Sequence, residues 1–340
     1  MRDVSSGKEI EEADVLLVHT AEHVKALKES SEACKDLEMR FLDEAKEAPT
    51  NKHTDLASRL CAEGVVHITR QVLQGELDNG FAIVRPPGHH AYKEQFGGFC
   101  FFNNVAIAAE VARKEFGLKK IAIFDWDIHH GDGTQEFFYE SDEVLYVSLH
   151  RYDNNTFYPN KEFAQAHFVG KGKGEGFNVN VAWETGKVVI ESKRRANEVV
   201  PVGNNEYRLA CEEVLFPVLR EFEPELILIS CGFDSAIHDW LGWCRVSPSQ
   251  YHWMTAELLK IQPKTVVALE GGYNVEYLGQ HAEGVCRALL GQQMNRDLSA
   301  DRDAGFYEEG VDGAKAVEYA KDNIQATRKA LEPFWKCLQK

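Results

Sequence analysis

The chain has no run of eighteen apolar residues, so no membrane-spanning helix is expected. Its N-terminus, "MRDVSSGKEIEEADVLLVH", puts a short apolar piece behind several acids and lacks the pattern of a signal peptide. There is no CxxC pair. The eight cysteines are scattered and read as reduced, mostly buried thiols of an intracellular protein. Internal repeats and low-complexity linkers are also missing. So is any excess of positive charge: the formal net charge is −16. Such a surface does not invite the phosphates of nucleic acid or anionic lipid, and it suits a basic peptide or amine.

What remains is ample material for a core. The 340 residues are 44% hydrophobic, which fits one large α/β domain or two smaller ones. Helical spacing and composition run through residues 21–46 and 54–75. Short, wholly apolar runs follow, several of them trailed by a helical pattern. "GFAIVRPPG", "KKIAIFDWD", "EVLYVSLH", "FNVNVAW", "PELILISCGFD" and "KTVVALEGGYN" read as strands. "NNVAIAAEVARKEFG", "NEYRLACEEVLFPVLREF", "SQYHWMTAELLK" and "VEYLGQHAEGVCRALLG" read as helices. The alternation predicts a mostly parallel sheet covered by helices, with strands buried on both faces.

Five strand ends carry polar residues: "RPPGHH", "DWDIHH", "SLHRYD", "SCGFDS" and "LEGGYN". Open α/β sheets bind ligands at the carboxyl ends of their strands, so this pattern predicts one shared site. Asp127 and His129 are two apart, which in an extended segment turns both side chains to the same side. Asp234 is the best third ligand. Two carboxylates and one imidazole would leave a metal with an open position, the arrangement of a catalytic site. Zn²⁺ is the default, and Fe²⁺ or Co²⁺ would also suit so oxygen-rich a set. The plainer alternative is that Asp127 and His129 only form a turn and cap a helix.

His89 and His90 stand at a separate strand end, behind Pro86, Pro87 and Gly88. A histidine base works best when a carboxylate orients its other nitrogen, and Asp125 and Asp132 are available for that. Tyr273 follows two glycines and could donate a hydrogen bond to an oxyanion. A metal, a base and such a donor together describe amide hydrolysis.

In combination and order, "RPPGHHA", "GFCFFNNVAIAA", "DWDIHHGDGTQ", "SLHRYD", "SCGFDS" and "LEGGYN" resemble the zinc-dependent histone deacetylase family, most closely its class II branch. The resemblance covers roughly residues 75–290, with a weaker match through "VLLVHTAEHV". It implies the arginase–deacetylase α/β fold, a central parallel sheet with helices on both faces, with residues 1–340 forming a single catalytic domain. It implies hydrolysis of N-acetyl-lysine to lysine and acetate. Asp127, His129 and Asp234 fall on the zinc ligands. His89 and His90 fall on the tandem histidines, with His90 as general base and acid. Asp125 would pair with His89, and Asp132 with His90. Tyr273 falls on the transition-state tyrosine. Gly98, Phe99 and Tyr158 fall on the substrate tunnel. Leu241 falls where a polyamine-selective relative carries an acidic gatekeeper. Ser148 and the carbonyls around Asp125, Asp127, His129 and Leu149 resemble an inner potassium site. Phe138, Ser141 and Val144 fall near an outer one. The implied partners are an acetylated lysine peptide or protein, a histone tail or another protein, and corepressor proteins. The implied compartment is the nucleus, the cytoplasm or both.

The chain also departs from the family. Neither the usual first strand nor the rim loop with its "HP" pair and arginine is matched. "DSAIHDWLGWC" is bulkier than the usual "GDPLGGC"-type loop, bringing Trp240 and Trp243. Lys193, Arg194 and Arg195 form a basic patch with no assigned role. Three other accounts stay open: an acetylpolyamine or small-amide hydrolase, an acyl-lysine-binding corepressor subunit without activity, and, more remotely, a binuclear manganese hydrolase.

Overall fold

The computed structural model describes residues 3–35, 39–41, 48–185, 202–294 and 313–339, so the basic patch Lys193–Arg195 lies outside the described residues. Six strands form one parallel sheet: β3 (Asn79–Ala82), β4 (Ile121–Asp125), β5 (Val144–Arg151), β6 (Asn178–Trp183), β7 (Leu226–Cys231) and β8 (Thr265–Leu269). Their order across the sheet is β3-β8-β7-β4-β5-β6. A separate antiparallel pair joins β1 (Arg40–Phe41) to β2 (Pro49–Thr50).

Helices cover both faces, which is why the strands are apolar throughout rather than alternating. In β4, Ile121 and Ile123 join one core, which includes Val65, Val66 and Ile68 of α3 (Thr54–Leu73) and the apolar side of α4 (Asn104–Phe116). Ala122 and Phe124 join the opposite core, with residues of α6 (Asn204–Ala210), α7 (Phe216–Phe222), α8 (Pro248–Ile261) and α10 (Gly313–Leu331). The two-residue period of a strand thus serves two layers at once. This is the three-layer α/β/α architecture implied by the resemblance.

Local chemistry sets the helix ends. The Asn103 side chain accepts the Ala106 N–H at 3.1 Å and starts α4, and Gly117 at φ 72 ends it. The reading of one long helix over residues 205–222 is modified: Cys211–Leu215 is a π-helical turn between α6 and α7, just before Pro217. A proline has no N–H to give to the preceding turn, so the regular hydrogen-bond ladder is interrupted at this point. The first predicted helix is also shorter than its composition suggested. α2 spans Ala21–Ala33, and Arg40–Phe41 are strand. α10 was not expected from the sequence. It docks on β6, where Thr327 Oγ1 donates to Asn180 O at 2.8 Å. Among the described residues no helix is long and apolar enough to cross a membrane.

Candidate active site

β4 and β7 lie side by side, and the chain leaves them in opposite directions, from β4 to β5 and from β7 to β8. Their carboxyl ends therefore flank the switch point of the sheet, where such folds open a crevice. Asp127 and His129 follow β4, and Asp234 follows β7. Ligand atoms of the three lie within 4.8 Å of one another, and all three residues are buried. Among the described residues no other trio of His, Cys, Asp or Glu converges in this way.

The route to that convergence differs from the extended segment expected. β4 ends at Asp125, and residues 126–130 form an irregular turn. Hydrogen bonds aim the side chains instead. His129 N donates to Asp127 Oδ1 at 2.8 Å, and Ile128 N to Asp234 Oδ1 at 2.8 Å. Gly271 N donates to Asp127 Oδ2 at 2.9 Å. His129 Nδ1 then stands 3.1 Å from Asp127 Oδ1 and 3.0 Å from Asp234 Oδ2. Gly232 and Gly271 make this approach feasible. A β-carbon at Gly232 would stand 2.1 Å from Asp127 Oδ2, and one at Gly271 2.4 Å from Asp234 Oδ2.

The electrostatics call for a cation at this point. Burial, reinforced by the charge of Asp127, pushes the Asp234 carboxyl up to about 8. Burial disfavours charge on His129, but its hydrogen bonds to Asp127 and Asp234 outweigh this and raise it to about 10. Burial also works against ionised Asp127, yet His89 and His129 hold it below the ordinary carboxylate range. Two buried carboxylates this close need positive charge between them. Two carboxylates and an imidazole are also a donor set that zinc accepts, with positions left open. The residues fit a metal.

His89 and His90 come from the loop after β3. Glu270, just past β8, accepts the N–H groups of Gly88 at 2.7 Å and His89 at 3.1 Å, and Ser230 Oγ donates to it at 3.1 Å. His89 Nδ1 lies 3.0 Å from Asp125 Oδ2, which also accepts the Tyr146 hydroxyl at 3.0 Å. His90 Nδ1 lies 2.7 Å from Asp132 Oδ1, and the Tyr92 hydroxyl donates to Asp132 Oδ2 at 2.6 Å. The two imidazoles are 4.1 Å apart, and His89 Nε2 is 3.8 Å from Asp127 Oδ2. Burial first, and then His89, lowers His90, although Asp132 opposes them. Burial, then Asp127, raises Asp125.

Aromatic rings surround this centre. Tyr158 stands edge-on to His90 at 5.0 Å and to His129 at 6.0 Å. Tyr273 lies 6.3 Å from His129 and from Phe99, again edge-on. Burial, with the charges of Asp234 and Asp127, raises the Tyr273 hydroxyl well above its usual range, so it stays a neutral donor. Gly98 and Phe99 take left-handed backbone, with φ of 50 and 65. Leu241 is exposed, as are its sequence neighbours Trp240 and Trp243.

Some named residues stand elsewhere. His130 turns into the core, 2.7 Å from Gln135 Oε1, where burial pushes it down to about 4. Ser148 Oγ is 2.8 Å from His150 Nδ1, and Leu149 is fully buried in β5. Ser141 N donates to Phe138 O at 2.9 Å just before Val144 opens β5, at the opposite end of the sheet from the trio. Sequence reasoning missed Tyr92, Tyr146, Phe157, Asp239 and Glu270. Glu270 was visible as an acid at the end of β8, and Asp239 as an acid in the loop beyond β7. Phe157, which stacks on His129, carried no signal.

The sheet, its two helical layers and a His-and-two-Asp centre at the switch point define a protein of the arginase–deacetylase class. More particularly, the histone deacetylase domain model matches residues 2–289, and the chain belongs to that family. It is 38% identical to histone deacetylase 5 of Arabidopsis thaliana over 98% of this chain and 47% of that one. It is 36% identical to polyamine deacetylase HDAC10 of Danio rerio over 95% of this chain and 44% of that one. The chain thus spans about half the length of these relatives. The crystal structure of the HDA15 HD domain matches with a TM-score of 0.81 and 34% identity, covering 98% of this chain and 82% of that one.

Proposed function

We propose that this chain is a zinc-dependent lysine deacetylase domain that hydrolyses N6-acetyl-lysine in a histone tail or another protein. One observation carries the proposal. The trio Asp127, His129 and Asp234 is assembled beside a histidine–carboxylate pair, His90 and Asp132, and beside a neutral tyrosine, Tyr273. Bound zinc would supply Lewis-acid polarisation of the acyl carbonyl and acidify the attacking water.

The chain's own residues supply the rest. Neutral His90 accepts the proton of the water on Nε2, while Asp132 holds Nδ1 and stabilises the imidazolium. His90 then returns that proton to the departing lysine amine. Tyr273 donates its hydroxyl hydrogen bond to the acyl oxygen as charge develops there. His89, held by Asp125, acts as an electrostatic partner. Phe99, Tyr158 and Gly98 form an apolar passage suited to the methylenes of lysine. We further propose potassium at the inner and outer positions named above, one catalytic domain spanning the chain, corepressor proteins as companions, and work in the nucleus, the cytoplasm or both.

A small polyamine is the second reading, because one relative is a polyamine deacetylase. Leu241 disfavours it, since an apolar side chain offers no partner to a second ammonium group. The test is acetate release by zinc-loaded protein from acetyl-lysine peptides and from N8-acetylspermidine. Peptide turnover should dominate, and Tyr273→Phe should reduce it by about 10²–10³-fold. No acetate release from either substrate overturns the hydrolase reading.

A further inference from the structure

Asp239 is buried, and its carboxylate accepts four backbone N–H groups from two loops. Oδ1 takes Leu241 N at 2.8 Å and Gly242 N at 3.3 Å. Oδ2 takes Tyr273 N at 2.7 Å and Asn274 N at 3.2 Å. The contact is returned from the other side, where Asn274 Nδ2 donates to His238 O at 2.7 Å. These are charge-assisted bonds in a water-poor place, so they hold geometry tightly. The carboxylate also sits at the N-terminus of α9 (Val275–Leu289), where the helix dipole favours an anion.

Both loops need such a restraint. Tyr273 follows Gly271 and Gly272, and Gly272 takes φ 127, so the backbone alone would leave the tyrosine free to wander. The facing loop holds His238 at φ 72 and Trp243 at φ 55, left-handed values that a non-glycine residue adopts only when its surroundings impose them. That loop also packs against the backbone of Asp234. A β-carbon at Gly242 would stand 1.8 Å from Asp234 O. Asp239 therefore ties Tyr273 and the chain around Asp234 into one rigid piece.

We propose that Asp239 is a positioning residue for Tyr273, fixing its hydroxyl relative to the metal trio by holding its backbone N–H. This rests on the deacetylase reading for its kinetic consequences but not for its structural ones. Asp239→Asn is nearly isosteric, yet its one amide oxygen can serve only one of the two N–H pairs, and its NH₂ group confronts the other. We expect kcat for an acetyl-lysine peptide to fall about 10–100-fold, with KM within about twofold, because a misplaced group costs rate rather than binding. Zinc content should stay at the wild-type level.

Two further readings separate positioning from general damage. If Asp239 acts through Tyr273, the Asp239→Asn/Tyr273→Phe double variant is no slower than Tyr273→Phe alone, to within about twofold. Losses that multiply in full overturn the proposal. The second is hydrogen exchange on the zinc-loaded proteins: amides 272–276 should exchange faster in Asp239→Asn, while α4 and β5 keep wild-type rates. Unchanged exchange at 272–276 overturns the proposal even if the protein releases no acetate. That last result would strike the deacetylase reading separately.

Discussion

Phe157 lies almost parallel to His129, with ring centroids 5.0 Å apart and planes 13° apart. Hydrogen-bonding contacts direct its Nδ1 toward two carboxylates, and the aromatic face adds a second restraint on how the ring turns. Phe157→Ala should therefore loosen His129 and weaken zinc binding about 10–100-fold, as removal of a residue supporting a metal ligand commonly does. Competition against a chromophoric chelator measures this. Unchanged affinity would show that Asp127 and Asp234 orient the ring alone.

Gly98 meets His90 from the other side. A β-carbon at Gly98 would stand 2.2 Å from His90 Cδ2, and its φ of 50 disfavours any side chain. Gly98→Ala should displace the imidazole and reduce kcat/KM about a hundredfold. Zinc content should not change, because neither group belongs to the trio. Steady-state kinetics beside metal analysis decides it.

The pH profile follows from His90. Burial, then His89, lowers its pKa below the ordinary 6.5 despite the opposing Asp132. The base works when neutral, so the acid limb of kcat/KM lies below pH 6.5, and activity is lost as pH falls through the lowered value. Asp132→Asn removes an influence that raises His90. The limb then moves to still lower pH, while the plateau drops because the base is weaker. A limb that moves to higher pH would contradict the pairing.

Metal removal should be visible without catalysis. With Asp234 near 8 and His129 near 10, the metal-free trio holds protons at pH 7 that zinc must displace. Zinc uptake should release roughly one to two protons per chain, read as a dependence of calorimetric heat on buffer ionisation enthalpy. At free zinc about a hundredfold above Kd, the native state gains about 2.7 kcal/mol, and chelation lowers the thermal midpoint accordingly. Heats independent of buffer would show that neither Asp234 nor His129 holds a proton for zinc to displace.

The strands were legible because burial on both faces requires unbroken apolar runs, as in "KKIAIFDWD" and "PELILISCGFD". α3, α4 and α9 showed in their apolar spacing, and the stop of α4 showed in Gly117. Less legible were pieces whose form depends on distant partners. α10 gains its stability by docking on β6 and the layer beside it, and the end of α2 gives way to a short strand pair.

The sequence by itself determined the chemical inventory. It set two aspartates and a histidine for the metal, tandem histidines with an acid for each, and a tyrosine behind two glycines, each at a strand end. Residue type and local order carry that information because ionisation and ligand chemistry belong to side chains. Only the tertiary structure decided how these groups meet. Strand order put β4 beside β7, so that Asp234 could reach residues more than a hundred positions earlier. The turn after β4, rather than an extended strand, aimed Asp127 and His129. Phe157, Glu270 and Asp239 gained their contacts only through folding, because support for a site comes from whatever the fold packs behind it.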